Sequence, residues 1–432
     1  MVEPASAVLV SPEAPPSWRA RIFAVTWLSY FSYYLTRMPF KASKTSLEAA
    51  FGLDKAQLNW IDTTYNIAYC LGQVTNGYLT ERWGPRRWVA CGMLASALAC
   101  VIFQMVDSVT GTLMGMYMLV WGINGFAQST GWPGNGKAMA EWYGTARRGE
   151  VMGWWSTCYQ AGGLVATLLA SRLIGWFGWR GTFIGPAIWV AVVALAFFLL
   201  VRDRPSDLGY RDPDSTARDA AERHRLMRRE LPRVLRTPMV WALGGSYFCC
   251  KSIRYSFIFW LPYYLERVFH YGKQQSLDVS IAFDAGGVVL VIIAGLVADR
   301  VFGKRRVLTA FVFLWLLVAA LFLYREVASV SPLVNVLALA AVGGCLFAAD
   351  SLISGAVAQD LGGPHAAGLA AGLINGIGSI GQVLQGFVLV YVTDRWGWST
   401  LFLWFAVLAG LGSLCLLPHL RVGPRTAPGS AP

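Results

Sequence analysis

Charge is scarce in this chain: Asp, Glu, Lys and Arg make up 14% of its 432 residues, against 56% for the hydrophobic types. A soluble domain carries about 25% charged residues, so an aqueous surface is excluded for most of the chain. Histidine is rarer still. His224, His270, His365 and His419 fall in loops or at helix ends, which leaves no histidine-based metal or catalytic site to assemble. None of the eight cysteines has metal-ligand spacing. Cys70, Cys91, Cys100, Cys158 and Cys345 are scattered through apolar stretches, Cys249 and Cys250 are adjacent, and all read as small apolar residues. No glycine loop of the ATP-binding type occurs, and no loop holds a base, a nucleophile and an oxyanion site together. An enzyme is therefore not expected, nor a cofactor, and a driving force must come from a solute gradient.

What is abundant is membrane-length apolar sequence. A spanning helix needs about 20 mainly apolar residues, and such stretches recur from Ala20 to near Leu420, giving about twelve transmembrane helices in an all-α membrane protein. The net charge of +12 sits in the connections. Arg82, Arg86 and Arg87 follow the second span, Arg147 and Arg148 the fourth, Arg300, Lys304, Arg305 and Arg306 the eighth, and an Arg-rich run from Arg202 to Arg236 the sixth. Positive residues near span ends stay cytoplasmic, so these connections and both termini are expected inside. The basic balance is topology, and no nucleic-acid partner is expected. Met1 to Ser17 lacks the basic start and apolar core of a cleaved signal. The expected organisation is a tail at 1–19, a six-helix half at 20–201, a basic linker at 202–238, a second six-helix half at 239–420 and a tail at 421–432.

The chain repeats itself. Gly77-Tyr78-Leu79-Thr80-Glu81-Arg82 precedes Gly84-Pro85-Arg86-Arg87, and Gly295-Leu296-Val297-Ala298-Asp299-Arg300 precedes Gly303-Lys304-Arg305-Arg306, 218 positions later. Gly178-Trp179 is answered by Gly397-Trp398. At each basic turn, glycine lets two helices approach and the acid pairs with arginines or caps a helix end. Gly77, Glu81, Arg82, Arg86, Gly295, Asp299 and Arg300 are therefore read as a conformational latch, two pseudo-symmetric copies of it.

An ionisable residue inside a span costs about 2.5–3.5 kcal/mol even on the lenient insertion scale, so each requires a partner, a cavity or a ligand. Arg254 lies midway along the stretch from Trp241 to Leu265, with Lys251 on the same helix face. Two readings are open for it: an anion site, or an internal ion pair with Asp284 or Asp350. Arg37 in the first span lies 217 positions earlier, so the two arginines are pseudo-symmetric partners at the repeat interface, where substrate sites of such folds lie. A planar guanidinium offers phosphate two parallel hydrogen bonds and keeps its charge when desolvated. Snorkelling is the other reading of Arg37, since Lys41 and Lys44 suggest an outer end nearby. Tyr30 and Tyr34 precede Arg37, and Tyr255 adjoins Arg254. Asp284 and Asp350 are available to a proton, a cationic substrate group or Lys251.

With these residues in place the chain resembles the organophosphate:phosphate antiporter family of the major facilitator superfamily, which includes glycerol-3-phosphate and hexose-phosphate transporters. The resemblance rests on Tyr33-Tyr34-Leu35-Thr36-Arg37, on Asn124-Gly125-Phe126-Ala127-Gln128-Ser129-Thr130 with Gly131-Trp132-Pro133, and on Arg254-Tyr255 with Trp260-Leu261-Pro262. Arg204-Pro205-Ser206-Asp207-Leu208-Gly209 and Ala366-Ala367-Gly368 with Ala370-Ala371-Gly372 extend it from about Trp27 to Pro418. It implies a carrier, acting as a monomer in a bacterial inner membrane, that exchanges a phosphorylated organic molecule for inorganic phosphate by alternating access. It places Arg37 and Arg254 on the phosphate, Trp132 in the fourth-helix motif, and the family's eighth-helix acid on Asp284. Many members carry a lysine where this chain has Gln73 and a histidine where it has Tyr159. Both changes remove positive charge from the cavity, so a substrate with a different non-phosphate end, such as an amine, is expected. A transporter-like sugar-phosphate sensor and a proton-coupled organic anion carrier are the alternative readings.

Overall fold

The computed structural model describes residues 12–106, 113–143, 151–152, 154–155, 157–213, 232–303, 305–357 and 363–420. Arg147, Arg148, Lys304 and most of the Arg-rich linker lie outside these residues, as do the side chains of the Ala366-Ala367-Gly368 motif. The first half is built from α1 (Pro16–Leu35), α2 (Met38–Phe51), α3 (Lys55–Trp83), α4 (Pro85–Met105), α5 (Leu113–Gln128), α6 (Gly131–Trp142) and α7 (Thr157–Leu200). The second comprises α8 (Pro238–Val268), α9 (Lys273–Arg300), α10 (Arg306–Val327), α11 (Pro332–Ser351), α12 (Gly363–Trp396) and α13 (Trp398–Leu416). The first helix starts at Pro16, ahead of the expected Ala20, because proline suits the opening turn, where its missing N–H is no loss.

α1 and α2 are one span interrupted at Thr36 and Arg37, and α5 and α6 are another interrupted at Ser129 and Thr130. The first interruption has a local cause. Pro39 has no N–H to give the carbonyl of Leu35, so the Arg37 N–H bonds to the Tyr34 carbonyl at 3.1 Å and the helix restarts. Side chains then reach the Thr36 carbonyl: Asn124 Nδ2 donates to it at 3.2 Å and the Cys100 thiol at 3.4 Å. α7 runs through two crossings, bent at Gly178, where φ is 67°. Counting broken spans once and α7 twice gives two sets of six.

The repeat is visible in the backbone. Gly178 and Gly397 (φ 80°) turn matching helix pairs, as do Gly84 (φ 80°) and Gly303 (φ 57°). A side chain is strained at these angles, which explains why glycine stands at both copies. Helix contacts match as well. A Cβ added to Gly125 on α5 would lie 2.3 Å from the Tyr65 carbonyl on α3, and one on Gly343 of α11 would lie 2.0 Å from the Phe283 carbonyl on α9. Both residues of each pair are separated from their counterparts by 218 positions.

Seven described helices are by themselves long and apolar enough to cross a bilayer. Those that fall short are α1, α2, α3, α5, α6 and α8, which are broken or carry many polar residues. Three of them, α2, α3 and α8, meet helices of the other half, where a polar side chain faces protein or a cavity instead of lipid; the remaining contacts between halves come from α7, α9 and α12.

Candidate functional site

At the interruption of the first span, Arg37 is buried (8% exposed), not snorkelling. Its Nε donates to Gln128 Oε1 at 3.0 Å, and its guanidinium lies over the rings of Tyr34 (4.6 Å) and Tyr69 (5.2 Å). Gln128 is completely buried and held on all sides: the Tyr65 hydroxyl donates to Oε1 at 2.9 Å, and Nε2 donates to Thr36 Oγ1 at 3.2 Å. Arg37 is thus anchored by a neutral amide and by aromatic faces. Its Nη2 is buried and has no acceptor among the described residues.

Arg254 sits in the unbroken α8 and has a different environment. Its Nη1 donates to Asp350 Oδ2 at 2.9 Å, and the guanidinium lies 4.5 Å from the Phe347 ring centre. Both side chains of the ion pair are largely buried, at 13% and 8% exposure. Of the two sequence readings, the ion pair is present, formed with Asp350 and not with Asp284. Asp350 is therefore not standing free for a substrate ammonium or for Lys251. Asp350 lies in the last turn of α11, which ends at Ser351 and runs directly into a π-turn at Leu352–Val357. Arg254 Nε and Asp350 Oδ1 are buried and without partners among the described residues.

Lys251 does not bind an acid. Its Nζ donates to Asn375 Oδ1 at 2.8 Å and Ser379 Oγ at 3.1 Å on α12, and it lies 5.1 Å from the Tyr247 ring. Tyr34, Lys41, Tyr159, Arg254, Asp284 and Phe347 line one cavity between the halves. Tyr34 and Tyr255 each lie within electrostatic reach of both Arg37 and Arg254. Asp284 is within such reach of Lys41 and Arg254, and no ion pair joins it to either within 4 Å. Tyr30 is buried in an aromatic cluster with Tyr33, Tyr34, Trp132 and Trp155. Trp132 meets Tyr30 edge-on at 5.5 Å and is 42% exposed, so it supports the site through Tyr30. Gln73 makes no hydrogen bond to either arginine.

Sequence reading missed several members. Lys41 and Lys44, taken as marking an outer end, are buried at 5% and 1% exposure. Lys44 pairs with Asp62 of α3 and lies 3.5 Å from the Trp260 ring of α8, so it faces the other half and not the headgroups. Tyr65, Tyr69 and Asp62 fall on one face of α3, and that spacing of polar and aromatic residues in a span was the available signal. Gln128 stood in the fourth-helix motif, with nothing to single it out there as the partner of Arg37.

Among the described residues, the ion pairs between the halves lie at one end. There Lys55 pairs with Asp394, Glu48 with Arg267, Lys273 Nζ donates to Ser46 Oγ at 2.7 Å, and Arg172 pairs with Asp278 at 3.2 Å. Deeper in, Gln382 Nε2 donates to Asn66 Oδ1 at 2.8 Å. At the other end, that of the basic turns, described ion pairs stay within the first half and the start of the linker. Glu81 binds Lys137 at 2.5 Å, Glu141 binds Lys137 at 3.3 Å and Arg204 at 3.8 Å. The latch expected between the acid and its neighbouring arginines is not formed: Glu81 reaches α6, and Arg82 is exposed. Arg86 instead gives its backbone N–H to Asp203 Oδ1 at 2.7 Å and its Nε to the Phe198 carbonyl at 2.6 Å. Burial pushes the Asp203 carboxyl above the usual range, with the Arg86 N–H opposing. Gly77 lies 4.0 Å from Pro133 at its would-be Cβ, while Gly295 meets nothing. Asp299 and Arg300 are exposed and in no ion pair among the described residues. The copies are alike in sequence because both turn a chain, and unlike in bonding because only the first has Lys137 opposite it.

Comparison with known proteins agrees with this architecture. The family model described as Major Facilitator Superfamily matches residues 26–300 and 274–432. A probable hexose phosphate transport protein of Chlamydia pneumoniae is 29% identical, over 93% of this chain and 91% of its own. The glycerol-3-phosphate transporter of Bacillus subtilis is 28% identical, over 88% and 87%. Sugar phosphate exchanger 3 of Xenopus laevis is also 28% identical, over 84% and 78%. Among solved structures, an inward-facing bacterial homologue of the human lysosomal transporter Spinster superposes with a TM-score of 0.75 at 14% identity, over 96% of this chain and all of that one. The D-xylose–proton symporter gives 0.73 at 13% identity, over 94% and 98%.

Proposed function

The chain belongs to the major facilitator superfamily and is a multi-pass membrane transporter rather than an enzyme, and from that premise we propose that it carries a phosphorylated organic anion in exchange for inorganic phosphate. One observation carries the proposal. Each half supplies one buried guanidinium to the boundary between halves, and each guanidinium has a buried N–H without an acceptor among the described residues, Nη2 of Arg37 and Nε of Arg254. An unmet buried donor costs about 1–3 kcal/mol, so both await an acceptor. A phosphoryl group supplies three oxygens and the matching charge. The residues around the cavity, Arg37, Lys41, Lys251 and Arg254 against Asp284 and Asp350, leave two positive charges over, which a phosphate dianion offsets. Tyr34 and Tyr255, within reach of both arginines, can donate to its oxygens or cover carbon. The relatives named for hexose phosphate and glycerol-3-phosphate transport point the same way.

In the proposed cycle the halves rock about the bound anion, with the contacts from Lys55–Asp394 to Arg172–Asp278 breaking as those at the basic end form. Two cations in an empty low-dielectric site resist closure, and a phosphate of either kind relieves that resistance, which favours exchange over one-way flow. The basic turns favour a cytoplasmic side for their own end and for both termini, and the proposed compartment is a bacterial inner membrane. Because both arginines come from one chain, a monomer holds a complete site. Labelled phosphate uptake into proteoliposomes tests the reading. Uptake should require unlabelled phosphate inside and should vanish in Arg254→Ala. Uptake into phosphate-free vesicles driven by a pH gradient would replace exchange with proton coupling, and well-folded protein showing neither would leave a sensor.

A further inference from the structure

Asp350 enters the reading above only as one charge in the balance, and its geometry gives it a more specific role. It is a carboxylate on the second half, buried, bound through one oxygen to the guanidinium that the transported anion also requires, and unmatched at the other oxygen. Arg37 has no such companion; its Nε acceptor is a neutral amide. We propose that Asp350 is a built-in competitor of the transported anion: it occupies Arg254 in the empty carrier, and the phosphoryl group must displace it to gain the second arginine. This inference rests on the phosphate reading of the site.

Three features of the geometry support displacement over a permanent structural bond. The bond is single, Nη1 to Oδ2, where a structural arginine–carboxylate pair in low dielectric is commonly two-pronged. Arg254 Nε and Asp350 Oδ1 are left over in the same place, so the pair satisfies neither side chain fully. A second cation is at hand to receive the released carboxylate. Lys251 lies one turn before Arg254 on α8, within electrostatic reach of Asp350, and holds only the neutral acceptors Asn375 and Ser379. The two arginines then act in order. Arg37 is open to an anion from the start, and Arg254 joins once Asp350 has turned toward Lys251. A weakly charged anion that cannot compete with a carboxylate engages one arginine and is held loosely, so Asp350 also selects for the doubly charged phosphoryl group.

The test is calorimetric titration of inorganic phosphate into purified full-length protein. Asp350→Asn should bind at least about tenfold more tightly than wild type, since the competing charged hydrogen bond is gone. Asp350→Ser carries the same expectation and stands in if the asparagine variant does not fold, and Asp350→Glu, which keeps the competitor, should stay near wild type. A residue that merely shaped the site would weaken binding when replaced. In an Arg254→Gln background, Asp350→Asn should give no gain, because the contested group is absent. Unchanged or weaker phosphate binding by well-folded Asp350→Asn and Asp350→Ser overturns the inference while wild-type binding leaves the transport reading intact. A gain that persists without Arg254 also overturns it, reducing Asp350 to a distant repulsive charge. No binding by wild type or any variant removes both.

Discussion

The two halves solve the same problem of a cation in the middle of a membrane protein with different chemistry. Their frames coincide: Gly125 against Tyr65 and Gly343 against Phe283 are the same joint used twice, and Arg37 and Arg254 project from the same place in the repeat. In the first half the arginine is steadied by an amide fixed in a network of Thr36, Tyr65 and Ser96 and by two aromatic faces. In the second it is steadied by a carboxylate. The acid stands where the first half has Trp132, one turn beyond Gln128 in the matching fourth helix. A small shift in which turn of a helix carries the partner therefore separates a receptive cation from an engaged one. Duplication supplies the geometry, and single-residue divergence supplies the asymmetry.

That comparison breaks most sharply at Arg37. Replacing it with alanine removes the cation that has no internal acid, and phosphate affinity measured calorimetrically should fall by about a hundredfold or more. Unaltered affinity would place the anion elsewhere. Stability separates the ion pairs by burial. Asp62→Asn strands the Lys44 ammonium at 1% exposure and should cost about 3 kcal/mol in detergent unfolding, whereas Asp394→Asn, at the half-exposed Lys55 pair, should cost under about 1 kcal/mol. Gln128→Glu makes the first half imitate the second by giving Arg37 a carboxylate of its own. Phosphate should then bind about tenfold more weakly, and wild-type affinity in this variant would show that the amide and the acid are equivalent partners. The smallest contrast lies at the basic turns. Glu81→Ala should lower stability by under about 1 kcal/mol through loss of the bond to Lys137, and Asp299→Ala should leave stability unchanged within about 0.5 kcal/mol, both read from thermal unfolding.

How much of this was legible depended on whether a residue's partner lies nearby in sequence or across the fold. The repeat, the spans and both arginines could be read because each shows itself locally, as a motif, a run of apolar residues or a charge where charge is costly. Asp350 was visible as an acid in a span, but two acids and two cations leave the pairing open, and only α8 against α11 decides it. Lys44 was misread for the same reason. A lysine near the end of a span commonly reaches water, and nothing in its neighbours tells that α2 turns this face to Trp260 of the other half. Gln128 was visible only as a member of the fourth-helix motif, and its pairing with Arg37 was not, because a neutral amide has no energetic signature until the arginine beside it is known. The latch motif was recognised as a repeat, yet its bonding could not follow from it, since Lys137 has no counterpart opposite Asp299.

The interruption at Thr36 and Arg37 has a mechanical meaning. Its two pieces are fastened differently: α1 lies along α7 and α6 of its own half, while α2, which also packs on α7, reaches the second half through Lys44 on Trp260, Ser46 with Lys273 and Glu48 with Arg267. The span is thus a jointed lever with one arm held inside the first half and the other shared between the halves, and the guanidinium proposed to meet the cargo sits at the elbow. Load placed there is felt by both arms at once, whereas a straight rod would hand it to whichever partner gripped the rod harder.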